Sequence, residues 1–321
     1  MLIDCPILIL AFNRADLFEQ TISELWSAGA RNIWVSLDGA RENNSSDVRA
    51  QQIILKVCNQ HKLPMEKLRI NINNQGCRDG VNTGISWFFS YNLQGIIIED
   101  DISISIGYLG LMAKLLGLYS HNKKIFSISS HCDPELLNLS CKDLVLFEAP
   151  LCRVWGWATW ADRWSLHLQI IQNKLRPNPF NCFFSLPKCV RTADASLRLF
   201  NCQSGVLNTW DYEWNLSHLL YHASSITPRA LFCLNRGFRD DATHTLLASP
   251  PWFEMSKYEY ENIIYSPFEL TDKFMLLHEK CGFPLTTSWR REFIYLLLFN
   301  LWGYLKRLLK NLPRFCFCAY C

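Results

Sequence analysis

Several common carriers of function are missing from this sequence. It has neither a G-x-G-x-x-G turn nor a Walker loop, which argues against a dinucleotide dehydrogenase and a P-loop ATPase. It has no excess of one charge, since 32 Lys and Arg against 29 Asp and Glu leave a formal +3. No basic block interleaved with aromatics precedes the C-terminus, so no nucleic-acid partner is expected. The 14 cysteines form no disulfide or zinc grid. Only Cys316, Cys318 and Cys321 cluster, at a spacing that fits no zinc site and no ordinary prenylation box. The opening MLIDCPILILAFNRAD has no basic n-region and no cleavage site, and reads as a first strand rather than an export signal. The expectation is a cytoplasmic protein whose lone cysteines are reduced and buried. An uninterrupted membrane-spanning run is missing too. FIYLLLFNLWGYL is broken by Asn300 and Gly303 and is too short to cross a bilayer. Its flanking Arg290, Arg291, Lys306, Arg307 and Lys310 suit a helix lying on the anionic inner face of the membrane; a helix docked on the domain is the other reading.

What is present is a globular composition, 49% apolar and 19% charged over 321 residues, with 12 tryptophans. That length accommodates one large α/β domain or two small ones. Strand and helix patterns alternate through the first hundred residues. Strands are expected at Pro6–Phe12, Ile33–Leu37, Leu68–Ile72 and Gly95–Ile98, with helices at Asp16–Ala28, Val48–Cys58 and Asp79–Tyr91. This order predicts parallel pairing and a Rossmann-like half. Tyr108–Tyr119 reads as a further helix and Ile125–Ser129 as a further strand.

Each early strand stops on polar residues: Asn13-Arg14, Asp38, Asn74-Gln75-Gly76, and then Glu99-Asp100-Asp101. In a parallel sheet these ends converge on one edge, where open α/β sheets bind their ligands. A strand interior cannot hold three adjacent carboxylates without partners, so the triplet belongs at the end of Gly95–Ile98. Clustered hard oxygens suit Mg²⁺ or Mn²⁺ shared with substrate phosphates; an acidic solvated turn is the plain alternative.

Two aromatic stretches stand out further on. In Val154-Trp155-Gly156-Trp157-Ala158-Thr159-Trp160 the indoles either wall a pocket or pack into a core. In Trp210-Asp211-Tyr212-Glu213-Trp214 a helix start would send the two acids to different sides, so only one can face a site. Asp211 could also serve as a simple helix N-cap. The loop NRGFRDDATHT carries Gly237 and a single histidine, His244.

These stretches, PILILAFNR, GIIIEDD, WGWATW, WDYEWN and RGFRDDATHT, resemble the GT-A glycosyltransferases, closest to the bacterial nucleotide-diphospho-sugar transferases of hemolytic-protein-like type. They lie in the family's order over roughly residues 5 to 245. A more distant likeness is to the animal N-acetylglucosaminyltransferase with a Glu-Asp-Asp triplet. The resemblance implies a GT-A Rossmann-like, mostly parallel sheet flanked by helices; beyond about residue 246, outside the resemblance, the pattern reads as a helical C-terminal extension. A catalytic domain would span 1–245, its nucleotide-binding half ending at 101, and the extension would span 246–321. The resemblance also implies roles. Asp101 would ligate Mn²⁺ or Mg²⁺, with His244 as a further metal or pyrophosphate contact. Glu99, Asp100, Asn13, Arg14, Asp38, Asn74 and Gly76 would surround the donor, and Trp155 and Trp157 would wall its sugar. Asp211 would be the general base, with Glu213 as the next candidate.

The implied reaction moves a sugar from a nucleotide-diphosphate donor to a hydroxyl on a glycan or lipid-linked acceptor, with inversion, in surface polysaccharide or glycolipid assembly. Two departures, Gln75 before the Gly-Cys pair and Arg78-Asp79 after it, bear on base recognition. A sugar nucleotidyltransferase is the first alternative, although its Gly-rich basic loop is replaced here by Ala11-Phe12-Asn13-Arg14. A catalytically inactive nucleotide-sugar-binding protein is the second.

Overall fold

The computed structural model describes residues 2–105, 107–132, 143–172, 209–238 and 262–265, with isolated positions between 180 and 206 and between 293 and 297. The chain divides into two compact units. One is Met1–Lys174 with Gly205–Glu269, and the other is Leu175–Ser204 with Leu270–Cys321. The first unit therefore runs past the boundary expected at 245 and leaves out 175–204. In the second unit Phe180, Phe183 and Phe184 pack on Phe293. Most of the basic-flanked helix expected near 290–310, and His244, lie outside the described residues.

The first unit is α/β, built on a mostly parallel sheet with helices on both faces. Its first half runs β1 (Ile7–Ala11), α1 (Ala15–Ser27), β2 (Ile33–Leu37), α2 (Ser45–Gln60), β3 (Leu68–Ile70), α3 (Gly76–Tyr91) and β4 (Gln94–Glu99). The second half continues β5 (Ile102–Ile104), α4 (Tyr108–Tyr119), β6 (Ile125–Ile128), β7 (Asp143–Ala149), β8 (Trp157–Trp160), α5 (Ala161–Gln172), α6 (Asp211–Leu220), β9 (Ser224–Pro228), β10 (Cys233–Asn235) and β11 (Asn262–Tyr265). Nine strands pair in the order β11-β7-β9-β6-β8-β4-β1-β2-β3, while β5 and β10 form a separate antiparallel pair.

The buried strands follow from their residues. β1 is apolar throughout and pairs in parallel with β2 on one side and β4 on the other, with Ile9 beside Val35 and Ile98. Side chains alternate between faces along a strand. Ile7, Ile9, Val35, Ile96 and Ile98 accordingly share one core with residues of α1, α2 and α4. Leu8, Leu10, Trp34 and Ile97 share the other with Ile85 and Phe88 of α3 and four tryptophans. Each fully buried aliphatic side chain contributes about 1.5–3 kcal/mol against exposure.

α1 and α2 cover one face and α3 the other, so the chain changes sides between β3 and β4 and returns beside β1. The strand order thus reverses at β1 and β4, which opens a crevice at their carboxyl ends. The acidic triplet stands at that crevice.

The Trp-rich run is a strand, and β8 enters the sheet antiparallel between β4 and β6. Just after it, Arg163 is buried, with its guanidinium over Trp160. Its Nη2 donates to the carbonyls of Tyr119, Ser120 and Asn122 at the end of α4. This cation therefore satisfies carbonyls that the helix itself leaves open.

Candidate functional site

β1 runs out at Phe12-Asn13-Arg14 and β4 at Glu99-Asp100-Asp101, side by side. The Phe12 N–H donates to Asp100 Oδ2 at 3.2 Å, and Arg14 Nη1 meets Asp101 Oδ2 at 2.5 Å. The Thr21 hydroxyl on α1 lies 2.9 Å from the Asp100 carbonyl, fixing the turn that follows β4. Asp101 Oδ1 is buried and has no hydrogen-bond partner among the described residues. Burial and mutual repulsion push Glu99 up to about 8 and Asp100 up to about 7, while Arg14 opposes both shifts. Burial also raises Asp101, against the pull of Arg14. Three carboxyls here resist ionising together, which is the electrostatic setting that a cation relieves.

A glycine to which the sequence assigned no role completes this corner. The β5–β10 pair sets Asn235 opposite Ile102, and the Arg236 N–H donates to the Asp101 carbonyl at 2.8 Å. The Arg236 side chain is tied back to Gln20, Thr21 and Glu24 of α1. Gly237 is thereby pressed onto the site. A Cβ there would stand 2.1 Å from Asp101 Oδ2 and 3.1 Å from Arg14 Nη1. Its sequence signal was a glycine in a loop-like stretch, which does not reveal the carboxylate beside it.

The other strand ends are engaged in building the edge. Asp38, expected around the donor, accepts from the Asn71 and Asn74 amides and from the Gln75 and Gly76 N–H groups, at 2.9–3.1 Å. A carboxylate has about four acceptor positions, so these four donors fill it. Asn74 also donates to the Gly39 carbonyl, and Gly76 adopts φ +78°, which a glycine tolerates at the start of α3. Together, Asp38, Asn74 and Gly76 organise the loop that aims α3 at the crevice. Asn13 donates to Asp47, a buried acid held by Arg41 well below the usual range, at about 2.

The two indoles expected around a sugar separate. Trp155 is partly exposed, stacks on His131 at 5.1 Å and meets Phe238 edge-on. Phe238 follows Gly237, so Trp155 lies toward the triplet. Trp157 requires a correction, because it is fully buried. It packs among Trp164, Trp210 and Trp214 with centroids 5.0–6.4 Å away. Strand alternation turns it into the core, away from any pocket wall. Trp157→Ala is expected to cost about 3–5 kcal/mol of stability in urea unfolding. A loss under about 1 kcal/mol, far below the core range, would contradict the core assignment.

Asp211 is the first residue of α6; the cap position belongs to Trp210, which makes no side-chain cap bond. The N-cap role considered for Asp211 therefore does not apply. The Thr209 hydroxyl donates to its Oδ1. The negative charge of Asp211 contributes to raising both Glu99 and Cys77, so it lies within electrostatic reach of the end of β4 and the start of α3. Glu213 turns elsewhere and pairs with Arg78 of α3.

Among the described residues no three His, Cys, Asp or Glu side chains converge into a metal cage. Mg²⁺-type ions are often held by one or two carboxylates, with substrate phosphates and water supplying the rest. A buried carboxylate oxygen without a partner, amid acids with raised pKa values, fits a site of that kind. Asp101 would be the ligand.

No protein-family model and no curated protein matches the chain. Several solved structures do, all distantly. One is the apo form of the bifunctional glycosyltransferase WbbM, with TM-score 0.32, 9% identity, and coverage of 53% of this chain and 35% of that one. This chain thus spans about a third of that protein. Another is a UDP-glucose pyrophosphorylase complexed with UDP-glucose, with TM-score 0.35, 10% identity, and coverage of 70% and 89%. A third is the UTP-bound UGPase from Acinetobacter baumannii, with TM-score 0.30, 10% identity, and coverage of 53% and 78%. Likeness at this level assigns no activity to the chain.

Proposed function

We propose that this chain is a metal-dependent glycosyltransferase that takes a sugar from a nucleotide-diphosphate donor and places it on a hydroxyl acceptor. The observation that carries the reading is the buried acidic corner at the end of β4, with a further carboxylate within electrostatic reach of it. Asp101 offers a buried, unpartnered oxygen at the end of β4, and Asp211, at the start of α6, is near enough for its charge to raise Glu99 beside it. In support, the crevice lies where strand order reverses, the place where open α/β sheets hold nucleotides.

The residues divide the work. Asp101 would hold Mn²⁺ or Mg²⁺, which when bound neutralises charge gathering on the departing diphosphate. Arg14, already at 2.5 Å from Asp101, supplies a second positive charge beside the same group. Trp155 offers an indole surface against which the apolar C–H face of a sugar can rest. Asp211 accepts the proton of the incoming hydroxyl as that oxygen bonds to the anomeric carbon and the bond to the diphosphate oxygen breaks. One base opposite the leaving group inverts the configuration. The motif resemblance supports a glycan or lipid-linked acceptor in surface polysaccharide or glycolipid assembly, at the inner face of the membrane. Among the described residues no helix is long and apolar enough to cross one.

A panel of UDP- and GDP-sugars, read for released nucleoside diphosphate with Mn²⁺ present, tests the assignment. Release that depends on an added glycan or lipid acceptor is expected. Formation of nucleotide sugar from a nucleoside triphosphate and a sugar phosphate would instead make the chain a nucleotidyltransferase. Binding without turnover of any donor would make it an inactive binding protein.

A further inference from the structure

α6 is ten residues long and is held by polar contacts to four separate parts of the unit. Glu213 Oε1 meets Arg78 Nη2 of α3 at 2.5 Å, and Asn82 Nδ2 lies 3.5 Å from the other oxygen. Asn215 brackets Cys152 before β8, accepting from its N–H at 2.7 Å and donating to its carbonyl at 3.2 Å. Ser217 meets His167 of α5, and His218 meets Ser127 of β6, each at 2.7 Å. Apolar packing of Trp210 and Trp214 would bury the helix but tolerate small slides and rotations. Hydrogen bonds in four directions do not.

The contact that ties α6 to the first turn of α3 is the Glu213–Arg78 pair. Arg78 lies two residues beyond Gly76, whose N–H is fixed by Asp38 at the end of β2. Glu213 lies two residues beyond Asp211. Glu213 is buried, so only a partner such as Arg78 makes its charge tolerable there. We infer that the Arg78–Glu213 pair sets the distance between Asp211 and the donor end of the sheet, which makes Glu213 a positioning residue and not an alternative base. This rests on the reading of Asp211 as the base. Misplacing a reacting group by about 1 Å can cost on the order of 10²-fold in rate while binding elsewhere holds.

The test uses the full chain and whichever UDP- or GDP-sugar the wild type turns over. In Glu213→Ala, kcat is expected to fall on the order of 10²-fold, with the Kd for UDP or GDP in Mn²⁺ unchanged within measurement error. Arg78→Ala should show the same loss, and the double variant no more than either, because each removes the same contact. Glu213→Gln still offers an oxygen to Arg78 and Asn82, so its loss should be markedly smaller than that of Glu213→Ala. If the alanine variants fail to fold, Glu213→Gln and Arg78→Met decide the matter. Glu213→Gln as inactive as Asp211→Asn, beside an Arg78→Met enzyme at the wild-type rate, would overturn the inference and make Glu213 the proton acceptor. Wild-type turnover in all the Glu213 and Arg78 variants would overturn it as well, leaving the pair a stability contact. Wild-type turnover in Asp211→Asn would instead remove the reading on which the inference rests.

Discussion

Gly237→Ala should strip the site of metal-dependent nucleotide binding while the fold survives. The added Cβ would lie 2.1 Å from Asp101 Oδ2 and 2.9 Å from Asn235 Oδ1, far inside contact distance. The backbone cannot back away easily. The neighbouring Arg236 N–H is bonded to the Asp101 carbonyl, and the Arg236 side chain is pinned to α1. The Asp101 carboxylate must therefore yield, which breaks its contact with Arg14 and turns its free oxygen out of the crevice. Overpacking of this kind costs about 1–3 kcal/mol of stability, within what a domain of this size tolerates. Affinity for a nucleoside diphosphate in Mn²⁺ should fall on the order of 10²-fold, as expected when a ligand is displaced by an ångström. Calorimetry beside urea unfolding separates the two effects. Undiminished Mn²⁺-dependent affinity in a folded Gly237→Ala protein would show that Asp101 does not hold the cation.

Asp211→Asn is expected to fail differently. The amide keeps the size of the side chain and an oxygen for the Thr209 hydroxyl, so the start of α6 should be undisturbed. The proposed donor site, at the ends of β1 and β4 and the turn at Gly237, is left intact. What disappears is the capacity to take a proton, an effect worth roughly 10²- to 10⁴-fold in turnover. Donor affinity should therefore hold while kcat falls by that factor. Asparagine keeps the oxygen that the Thr209 hydroxyl meets, so a purely local role for Asp211 would make the change nearly silent. A folded Asp211→Asn enzyme at the wild-type rate would remove the residue from the mechanism.

The parallel half of the fold was legible because its residues obey simple rules. Ile7–Ala11 and the Ile96–Ile98 run are continuous apolar stretches and Ile33–Leu37 is broken only by Ser36; all stop on polar residues, and the structure buries them side by side. Tyr108–Tyr119 was legible as a helix to the residue. The end of β4 placed the acids at the sheet edge because three adjacent carboxylates have no place inside a strand.

β8 was harder to read for a physical reason. Trp157 faces one core and Ala158 and Trp160 the other, so a strand buried on both faces shows no alternation. Its tryptophans then looked like surplus available for a pocket. Asp38 was hard to read in another way. A strand-end carboxylate looks the same in sequence whether it meets a ligand or the N–H groups of a loop 37 residues away. Gly237 and the Glu213–Arg78 pair depend on contacts more than 130 residues apart, which no local spacing encodes.

The most direct measurement titrates UDP and GDP into the wild-type chain and into Asp101→Asn, with and without Mn²⁺. One nucleotide should bind the wild type at least about tenfold more tightly when Mn²⁺ is present, equivalent to about 1.4 kcal/mol. Asp101→Asn should show no such gain. Nucleotide affinity indifferent to Mn²⁺ in the wild type, or an equal gain in Asp101→Asn, would contradict the account.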